Sequence, residues 1–429
     1  MKSRKTALMA FTALLAAAIA GPALAAEPTL DDVLAEPDNI ALNVAFAKSE
    51  ANAGDLLSAA GALERVLIFQ PNAHQARLFY AAVLYRLGDY QAASQQLSLL
   101  DNVELTPLQQ AEKERYRRSI EKRLARFEVT GQVTGGVMYE EDALGAFLTQ
   151  FDFFDPIEEE GYSKVFAGRI DAIYKLRPEG EYALYGSLSA YHKSDISGPD
   201  VEFERVEAKA GVDHVAPMSS WRAGAVVRQY WVMGDKVLTE AGVQGVVNKR
   251  LTTATTVHAG VEAVDQNFDN EPFLFEFVGG GRDGSRVDVN VGVTHRFSSR
   301  STITAEVGHE WKDAEREALS YKAPYVQAGF EQLLGRGAYL DLTGKVRWVN
   351  YDGPDVLLFG ETREDLRTDL RAALGAPVSA FLPAGATGDY RENIKIEGAL
   401  SHTRRDSGSP LADYSSLGAE VRVIWRFGR

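Results

Sequence analysis

The residues best able to bind a metal ion or move a proton are seven histidines, and the chain contains no cysteine. The histidines are scattered, at positions 74, 192, 214, 258, 295, 309 and 402. None belongs to a His-Glu-x-x-His pattern, in which two imidazoles meet on one face of a helix and hold zinc. We therefore predict no metal site and expect each histidine to be a polar group in a barrel lumen or at an interface.

An acidic and aromatic segment at residues 139–162 is the second candidate for chemistry. Its acidic residues are Glu140, Glu141, Asp142, Asp152, Asp155, Glu158, Glu159 and Glu160, and phenylalanines lie among them at positions 147, 151, 153 and 154. Carboxylate oxygens are the ligands that Ca²⁺ and Mg²⁺ prefer. Four interpretations are open: a plug, a divalent-cation site, a loop that contacts a client protein, or a solvated acidic loop whose aromatic residues pack against the protein.

The sequence offers little support for other catalytic centres. The glycine cluster Gly279-Gly280-Gly281, with Gly284, lacks the Lys-Ser/Thr pair of a phosphate-binding loop. No G-x-S-x-G elbow of a serine hydrolase is present. A hydrolase assembled at strand ends through tertiary contacts is the alternative. We predict that the protein is not an enzyme and has no catalytic, cofactor-binding or metal-binding residues. The residues that bind a client are unknown from the sequence.

Two similar segments, Gly54-Asp55-Leu56-Leu57-Ser58-Ala59-Ala60 and Gly88-Asp89-Tyr90-Gln91-Ala92-Ala93-Ser94, lie 34 residues apart. Aligned on Gly-Asp, the units cover residues 40–73 and 74–107, and a period of this length is typical of tetratricopeptide repeats. The units share small and aromatic positions: Ala59 with Ala93, and Phe46-Ala47 with Tyr80-Ala81. Pro71 lies where such a repeat ends. The early tryptophan of the pattern is replaced by Asn43 and then by Arg77.

A further helix is predicted to begin at Thr106-Pro107, because threonine caps helices and proline fits the first helical turn. It is highly charged from Gln109 to Arg126 and suits the solvated cap that terminal repeats require. We assign residues 26–126 to a tetratricopeptide-like α-helical domain. Such a domain either binds a partner on its concave face or serves only for packing.

From Phe127 onward, apolar and polar residues alternate, as in Val287, Val289, Val291 and Val293 with Asp288, Asn290, Gly292 and Thr294 between them. This period of two predicts β-strands that place one set of residues on each face. Fourteen strands are predicted, at 127–138, 163–176, 181–192, 201–214, 221–232, 236–248, 254–265, 285–297, 300–312, 321–334, 337–350, 364–374, 389–403 and 414–427.

The connections and the two faces favour a transmembrane antiparallel β-barrel over residues 127–429. Short turns, such as 298–299 and 335–336, alternate with longer stretches, such as 139–162, 266–284 and 351–363, as in outer-membrane barrels with short periplasmic turns. The predicted lumen set is Arg205, Glu207, Lys209, Arg222, Arg228, Arg347, Lys395, Glu397, Glu420, Arg422 and Arg426. The predicted lipid-facing set is Val206, Ala208, Ala223, Val227, Ile394 and Ile396. The alternative is a soluble β-sandwich with an apolar inner face.

The two ends of the sequence point to an outer membrane. Residues 1–25 have the basic start, the apolar stretch and the Ala23-Leu24-Ala25 site of a secretory signal peptide. The last strand ends in Trp425 and Phe427, as the terminal strands of outer-membrane barrels do, although Gly428-Arg429 follow. The formal charge of −14 argues against a nucleic-acid partner, which calls for a basic surface.

A signal peptide, a short tetratricopeptide array and a barrel of about fourteen strands together resemble the surface lipoprotein assembly modifier family, called Slam. The resemblance lies in architecture and transfers no site residues. It implies a non-enzymatic translocation factor, with periplasmic repeats that gather a secreted or surface lipoprotein and an outer-membrane barrel that is its route or lateral gate. We expect the barrel to be monomeric and in contact with outer-membrane lipid. The alternatives are an exopolysaccharide export porin and a solute porin with accessory helices.

Overall fold

The structure is a computed structural model that describes residues 28–143, 159–177, 180–200, 202–269, 280–354, 360–381, 393–409 and 412–428. The chain divides into two compact units between Ala125 and Arg126. The signal peptide predicted at residues 1–25 lies outside the described residues and stays a prediction.

The described part of the first unit is α-helical. Its helices are α1 (Leu30–Ala35), α2 (Ile40–Ala53), α3 (Leu56–Phe69), α4 (His74–Leu87), α5 (Tyr90–Ser98) and α6 (Pro107–Leu124). Within the described residues, no helix is long and apolar enough to cross a membrane.

The repeated Gly-Asp pair ends one helix and starts the next. Gly54 after α2 and Gly88 after α4 are left-handed, with φ angles of +94° and +88°. Glycine adopts this conformation without the steric cost that a Cβ brings, and it is therefore the usual residue at a helix end. Asp55 and Asp89 then cap α3 and α5, and each side chain accepts a hydrogen bond from the backbone N–H three residues later.

The helices pack through two apolar clusters. The first contains residues of α1, α2, α3 and α4, among them the fully buried Val33, Ala59 and Leu63. The second joins α4, α5 and α6 and includes the fully buried Ala93 and, from α6, the nearly fully buried Ile120. Because Ile120 contributes to this cluster, α6 is part of the packed unit even though most of its surface is charged.

The two residues that replace the repeat tryptophan make equivalent contacts. Asn43 is fully buried and its Nδ2 donates to the carbonyl oxygen of Pro37 at 3.2 Å. In the second unit, Arg77 Nη2 donates to the carbonyl oxygen of Pro71 at 2.7 Å. Each side chain thus ties the first helix of its unit to the proline ahead of it, and the period of 34 residues applies to these contacts as well as to the sequence.

The second unit is a closed antiparallel barrel of fourteen strands, which confirms the predicted fold class. The strands are β1 (Phe127–Glu140), β2 (Gly161–Lys175), β3 (Tyr182–Ser197), β4 (Glu202–Val215), β5 (Ser219–Val232), β6 (Asp235–Arg250), β7 (Thr255–Asn267), β8 (Gly284–Arg296), β9 (Ser301–Ala314), β10 (Tyr321–Leu333), β11 (Tyr339–Pro354), β12 (Thr362–Pro377), β13 (Ile394–Ser407) and β14 (Tyr414–Phe427).

The barrel closes where β1 pairs with β14, from Gly131 opposite Phe427 to Glu140 opposite Gly418. The ring of Phe427 lies over Gly131, where a Cβ would come within 2.2 Å of the ring. Closure leaves no strand edge unpaired, which is the condition for a β-sheet to cross a bilayer. The terminal aromatic residue therefore packs directly on the closing seam.

Long and short connections alternate as predicted for most of the barrel, and both sides have exceptions that the predicted strand bounds already contain. Most turns on the side of the barrel where β1 begins are short, but β12 and β13 are joined there by residues 378–393. On the opposite side, β3 and β4 are joined by residues 198–201, and β5 and β6 are joined by Met233-Gly234 alone. Both residues of this two-residue turn have positive φ angles, which is the backbone geometry that closes a tight hairpin.

Candidate functional site

The outer and inner faces of the barrel differ as predicted. Val206, Val227 and Ile396 are 38%, 48% and 41% exposed, and they belong to an apolar band that surrounds the barrel. The alternate residues carry charges that contact one another across several strands. Side chains from non-adjacent strands meet only on the concave inner face of a barrel, and the charged set therefore lines the lumen.

A first charge ladder runs around the lumen from β4 to β11 and consists of Glu207, Arg228, Glu240, Glu262, Arg286, Glu310 and Arg347. At its centre, the Arg228 guanidinium contacts three carboxylates. Its Nε is 2.6 Å from Glu207, its Nη1 is 3.0 Å from Glu240 and its Nη2 is 2.6 Å from Glu262. Arginine presents donors in a planar fork, and this geometry suits several carboxylates at once.

The ladder continues through a second arginine. Arg286 Nη2 is 2.9 Å from Glu262, and its Nη1 is 3.4 Å from Glu310. Arg347 then meets the same Glu310 at 3.2 Å. Every guanidinium group of this ladder contacts at least one carboxylate, so each buried charge has a partner of opposite sign.

A second charge ladder covers β11 to β14 and consists of Asp341, Arg371, Glu397, Glu420 and Arg422. Glu397 accepts from both arginines: its Oε1 is 2.6 Å from Arg371 Nη2 and 2.6 Å from Arg422 Nη2. Arg371 also lies 3.6 Å from Glu420. These contacts connect the last strands to one another close to the closing seam.

Between these side chains the lumen holds a cavity of about 560 Å³. Its lining includes the basic residues Arg169, Lys209 and Arg222 and the acidic residues Asp288 and Glu306. A lining with both signs gives no strong preference for a polyanion or a polycation. The cavity is therefore suited to water and small polar solutes, or to a chain segment without a strong net charge.

The helical unit exposes apolar side chains that its own packing does not use. Leu57 is 75% exposed and Ile68 is 69% exposed, and both lie on α3. Their separation of eleven residues is about three helical turns, which places them on one face. Leu108 at the start of α6 is 79% exposed. Exposed apolar residues are common singly, and the exposed Glu64 lies between Leu57 and Ile68 on this face, so the two are separate apolar positions.

Several lumen residues were predicted and others were missed. Arg228, Arg347 and Glu397 are members of the ladders, and Arg426 donates to Gln132 at 2.8 Å in the same lumen. Five further lumen residues were not predicted: Glu240, Glu262, Arg286, Glu310 and Arg371. Their positions in the alternation of apolar and polar residues along each strand could have predicted them.

The acidic segment 139–162 is only partly described, since residues 144–158 lie outside the described residues. Of its acidic residues, Glu140 forms an ion pair with Lys193, and Glu160 accepts a hydrogen bond from Tyr139. Gly281 and Gly284 have positive φ angles, and Gly279 lies outside the described residues.

Four of the histidines have a polar partner within hydrogen-bonding distance. His192, His214 and His258 lie 2.9 to 3.0 Å from Glu204, Glu181 and Glu306 respectively, and His295 lies 2.9 Å from Thr255. The four histidines lie on four different strands, and His192 is close to two carboxylates, those of Glu202 and Glu204.

Several known structures have a similar course of the chain. They include a FadL homologue of Pseudomonas aeruginosa (TM-score 0.40, 8% identity, 70% of this chain and 90% of that chain). CymD, a monoaromatic hydrocarbon channel, has a TM-score of 0.38 and 9% identity over 70% of this chain and 89% of that chain. OccAB3 of Acinetobacter baumannii has a TM-score of 0.36 and 9% identity over 70% of this chain and 99% of that chain. Likenesses this distant say nothing about function.

No curated protein sequence significantly matches the chain. A family model described as "Surface lipoprotein assembly modifier" matches residues 173–380, which contain the whole first charge ladder. The matched family is not an enzyme family, and the closed barrel is of the outer-membrane type. The predicted resemblance to the surface lipoprotein assembly modifier family is thereby confirmed over these residues of the barrel.

Proposed function

We propose that the protein is an outer-membrane translocation factor that assists the export or surface display of a client protein, of the lipoprotein type. The observation that carries this proposal is the family match over residues 173–380. It is supported by the combination of a barrel with a separate compact helical unit, which a simple diffusion pore does not need.

The helical unit is the part that gathers the client. Repeat arrays present extended surfaces for binding other proteins. On α3, Leu57 and Ile68 offer apolar side chains to solvent on one face, and their burial against a partner contributes favourably to binding. The apolar area of these two residues is small, which fits a client that binds transiently and is then released to the barrel.

The barrel is the route across the membrane or the surface along which the client leaves. Its lumen carries both signs of charge in paired form, so a passing polypeptide of ordinary composition meets no strong field of one sign. The cavity of about 560 Å³ favours the second candidate, a solute porin. The two candidates differ in whether the helical unit is needed.

The proposal also places the helical unit in the periplasm, because an even number of strands returns both ends of a barrel to one side. Since the chain has no cysteine, single cysteines report location cleanly. Lys48→Cys on α2 and Ser299→Cys in the β8–β9 turn should react with an impermeant maleimide only after the outer membrane is permeabilised. Asp200→Cys in the β3–β4 turn should react on intact cells. Labelling of Lys48→Cys on intact cells would contradict this location.

The client role is tested in cells that express the protein together with a lipoprotein encoded beside its gene. Protease added to intact cells should digest the lipoprotein when the full-length protein is present and spare it when the protein is absent. The double variant Leu57→Glu with Ile68→Glu should reduce digestion, because it replaces both exposed apolar side chains with charged ones. Gln75→Glu, which adds charge at an exposed position of α4, is the matched control and should leave digestion unchanged.

Purified protein in liposomes distinguishes the two candidates. Rapid flux of small sugars through the full-length protein, together with client exposure that does not depend on the protein, would support the solute porin and contradict the translocation factor.

A further inference from the structure

We propose that His192, Glu202 and Glu204 form a binding site for a divalent transition-metal ion, such as Zn²⁺, on the outer wall of the barrel. One imidazole nitrogen and one carboxylate oxygen from each glutamate lie within 4.8 Å of one another. Over the described residues, this is the one group of at least three His, Cys, Asp or Glu side chains with that geometry. The site is independent of the translocation role.

Strand register brings these residues together. His192 on β3 is directly opposite Glu204 on β4, and Ser194 is directly opposite Glu202. Side chains directly opposite in an antiparallel pair are about 5 Å apart at Cβ, and diagonal neighbours are also within reach of long side chains. Glu202 is diagonal to His192 and alternates onto the same face as Glu204. Three potential ligands therefore project from one small area of a rigid two-strand surface.

The imidazole is already oriented. Its Nδ1 lies 3.0 Å from Glu204 Oε1, and its Nε2 lies 3.2 Å from the hydroxyl oxygen of Ser194. A metal-bound histidine commonly has its second nitrogen fixed by a hydrogen bond of this kind. In this arrangement Nδ1 faces the carboxylates and Ser194 holds the opposite side of the ring. The ligand and its supporting contact thus come from the same strand.

The position of the group on the wall favours a bound cation. His192 is opposite Phe166 of β2, and Glu204 is opposite Trp231 of β5, so the four side chains form one row across four strands. Leu188, four residues before His192 on the same face of β3, is 54% exposed and belongs to the apolar band. The row therefore corresponds to the aromatic girdle at the edge of the bilayer. Two carboxylates gathered there repel each other, and a cation between them offsets that repulsion.

The donor set selects the class of metal. One nitrogen and two carboxylate oxygens suit Zn²⁺ and its neighbours among the transition metals, whereas Ca²⁺ and Mg²⁺ prefer oxygen ligands alone. Three protein ligands leave at least one coordination position for water or for a group from outside. The half-exposed side chains of His192 and Glu204, at 33% and 45%, leave the site accessible from solvent.

Two other His-Glu contacts lack this arrangement and serve as controls. His258 lies 2.9 Å from Glu306 in the lumen, and His214 lies 3.0 Å from Glu181. Each has one close carboxylate instead of two. His258→Ala therefore removes a histidine with a comparable carboxylate contact and should not affect the proposed site.

The test uses the full chain without a histidine tag, purified in detergent, with Zn²⁺ and Co²⁺ as probes. Calorimetry in the presence of excess Ca²⁺, which occupies purely acidic sites, should show one Zn²⁺ ion per chain. His192→Ala and Glu204→Gln should weaken this binding by at least about 100-fold, since each removes a direct ligand. His258→Ala should bind as the unchanged protein does. With Co²⁺, a visible absorption band should appear and should be absent in His192→Ala.

Each variant is first checked for slower migration after boiling, which reports a folded barrel. Failure of the unchanged protein to bind Zn²⁺ would overturn the proposal. Equal binding by folded His192→Ala and the unchanged protein would overturn it too. If His192→Ala does not fold, Glu202→Gln and Glu204→Gln, which keep the size of the side chains, must each weaken binding for the proposal to stand.

Discussion

Arg228 on β5 and Glu262 on β7 form a two-point ion pair that bypasses β6, the strand between them. Nη1 lies 2.8 Å from Oε1, and Nη2 lies 2.6 Å from Oε2. The pair is possible because the barrel wall is curved and both side chains point inward. It links strands that share no backbone hydrogen bond, so the lumen charges contribute to holding the wall in shape.

The contacts of Arg228 predict what happens when its guanidinium group is removed. Arg228→Met leaves Glu207, Glu240 and Glu262 close together without it, and we expect a loss of ~3 to 5 kcal/mol in the free energy of unfolding. Arg404→Met is the control, because Arg404 is 57% exposed and pairs with the half-exposed Asp406. That change should cost less than ~1 kcal/mol. Denaturant unfolding in lipid vesicles measures both, and equal losses would show that the ladder does not hold the wall.

The orientation of β8 is tested by a pair of adjacent substitutions. Val291 is 55% exposed on the outer face near the middle of its strand, and Asn290 donates to Asp288 in the lumen at 3.0 Å. Val291→Arg should destabilise the barrel by ~2 to 4 kcal/mol, because the charge enters lipid. Asn290→Arg should have a much smaller effect. The readout is the unfolding midpoint in vesicles, and a larger effect at Asn290 would mean that the two faces are exchanged.

The polar replacement of the repeat tryptophan supports the helical unit. Asn43 accepts a hydrogen bond from Arg65 Nε at 3.1 Å and donates to the Pro37 carbonyl. Asn43→Ala leaves these partners unsatisfied and should destabilise the unit by ~1 to 3 kcal/mol. Lys48→Ala, at an exposed position on the same helix, is the control. The helical transition of the full chain at 222 nm should fall in temperature for the first variant only.

The pH dependence of the helical unit should include a contribution from Asp101. Hydrogen bonds from Lys113 and Arg117 lower the pKa of its carboxyl below the usual 3.8. Lys113 is itself buried and lies 2.9 Å from the carboxylate. A lowered pKa in the folded state means that the stabilisation is present above the unfolded pKa and is lost as pH falls through the folded one.

Asp101→Asn should therefore melt at a lower temperature than the unchanged protein at pH 7. The difference should shrink below about pH 4, where the aspartate itself takes up a proton. Melting of the helical signal at several pH values measures this. A difference that persists undiminished at pH 2 would show that the effect of the substitution does not come from the charge.

The strands could be predicted because each carries its own alternation, which depends only on which face a residue occupies. The ends of the strands were harder to predict from the sequence. The thirteenth strand was predicted at 389–403, whereas β13 covers Ile394–Ser407. Its extent depends on pairing with β14, from Ile394 opposite Trp425 to Arg405 opposite Tyr414. Pairing of this kind is a property of two strands and is not visible in one.

The contact partners of charged residues could not be predicted from the sequence for the same reason. The alternation places Arg228 in the lumen, but its contact with Glu262 depends on the register of three strands and the curvature of the wall. His192 and Glu204 belong to different strands and become neighbours only through the β3–β4 register. Motif searches read spacing along the chain, so a group assembled across a sheet escapes them.

The central claim is that the helical unit recruits the client and the barrel delivers it. Because α6 contributes Ile120 to the helical core, the informative deletion removes residues 27–125 rather than stopping before α6. The truncated protein is expressed behind its signal sequence together with the neighbouring lipoprotein, and intact cells are treated with protease. We predict a heat-modifiable barrel in the outer membrane and loss of lipoprotein exposure. Full exposure of the lipoprotein on cells that carry only the folded barrel would contradict the claim.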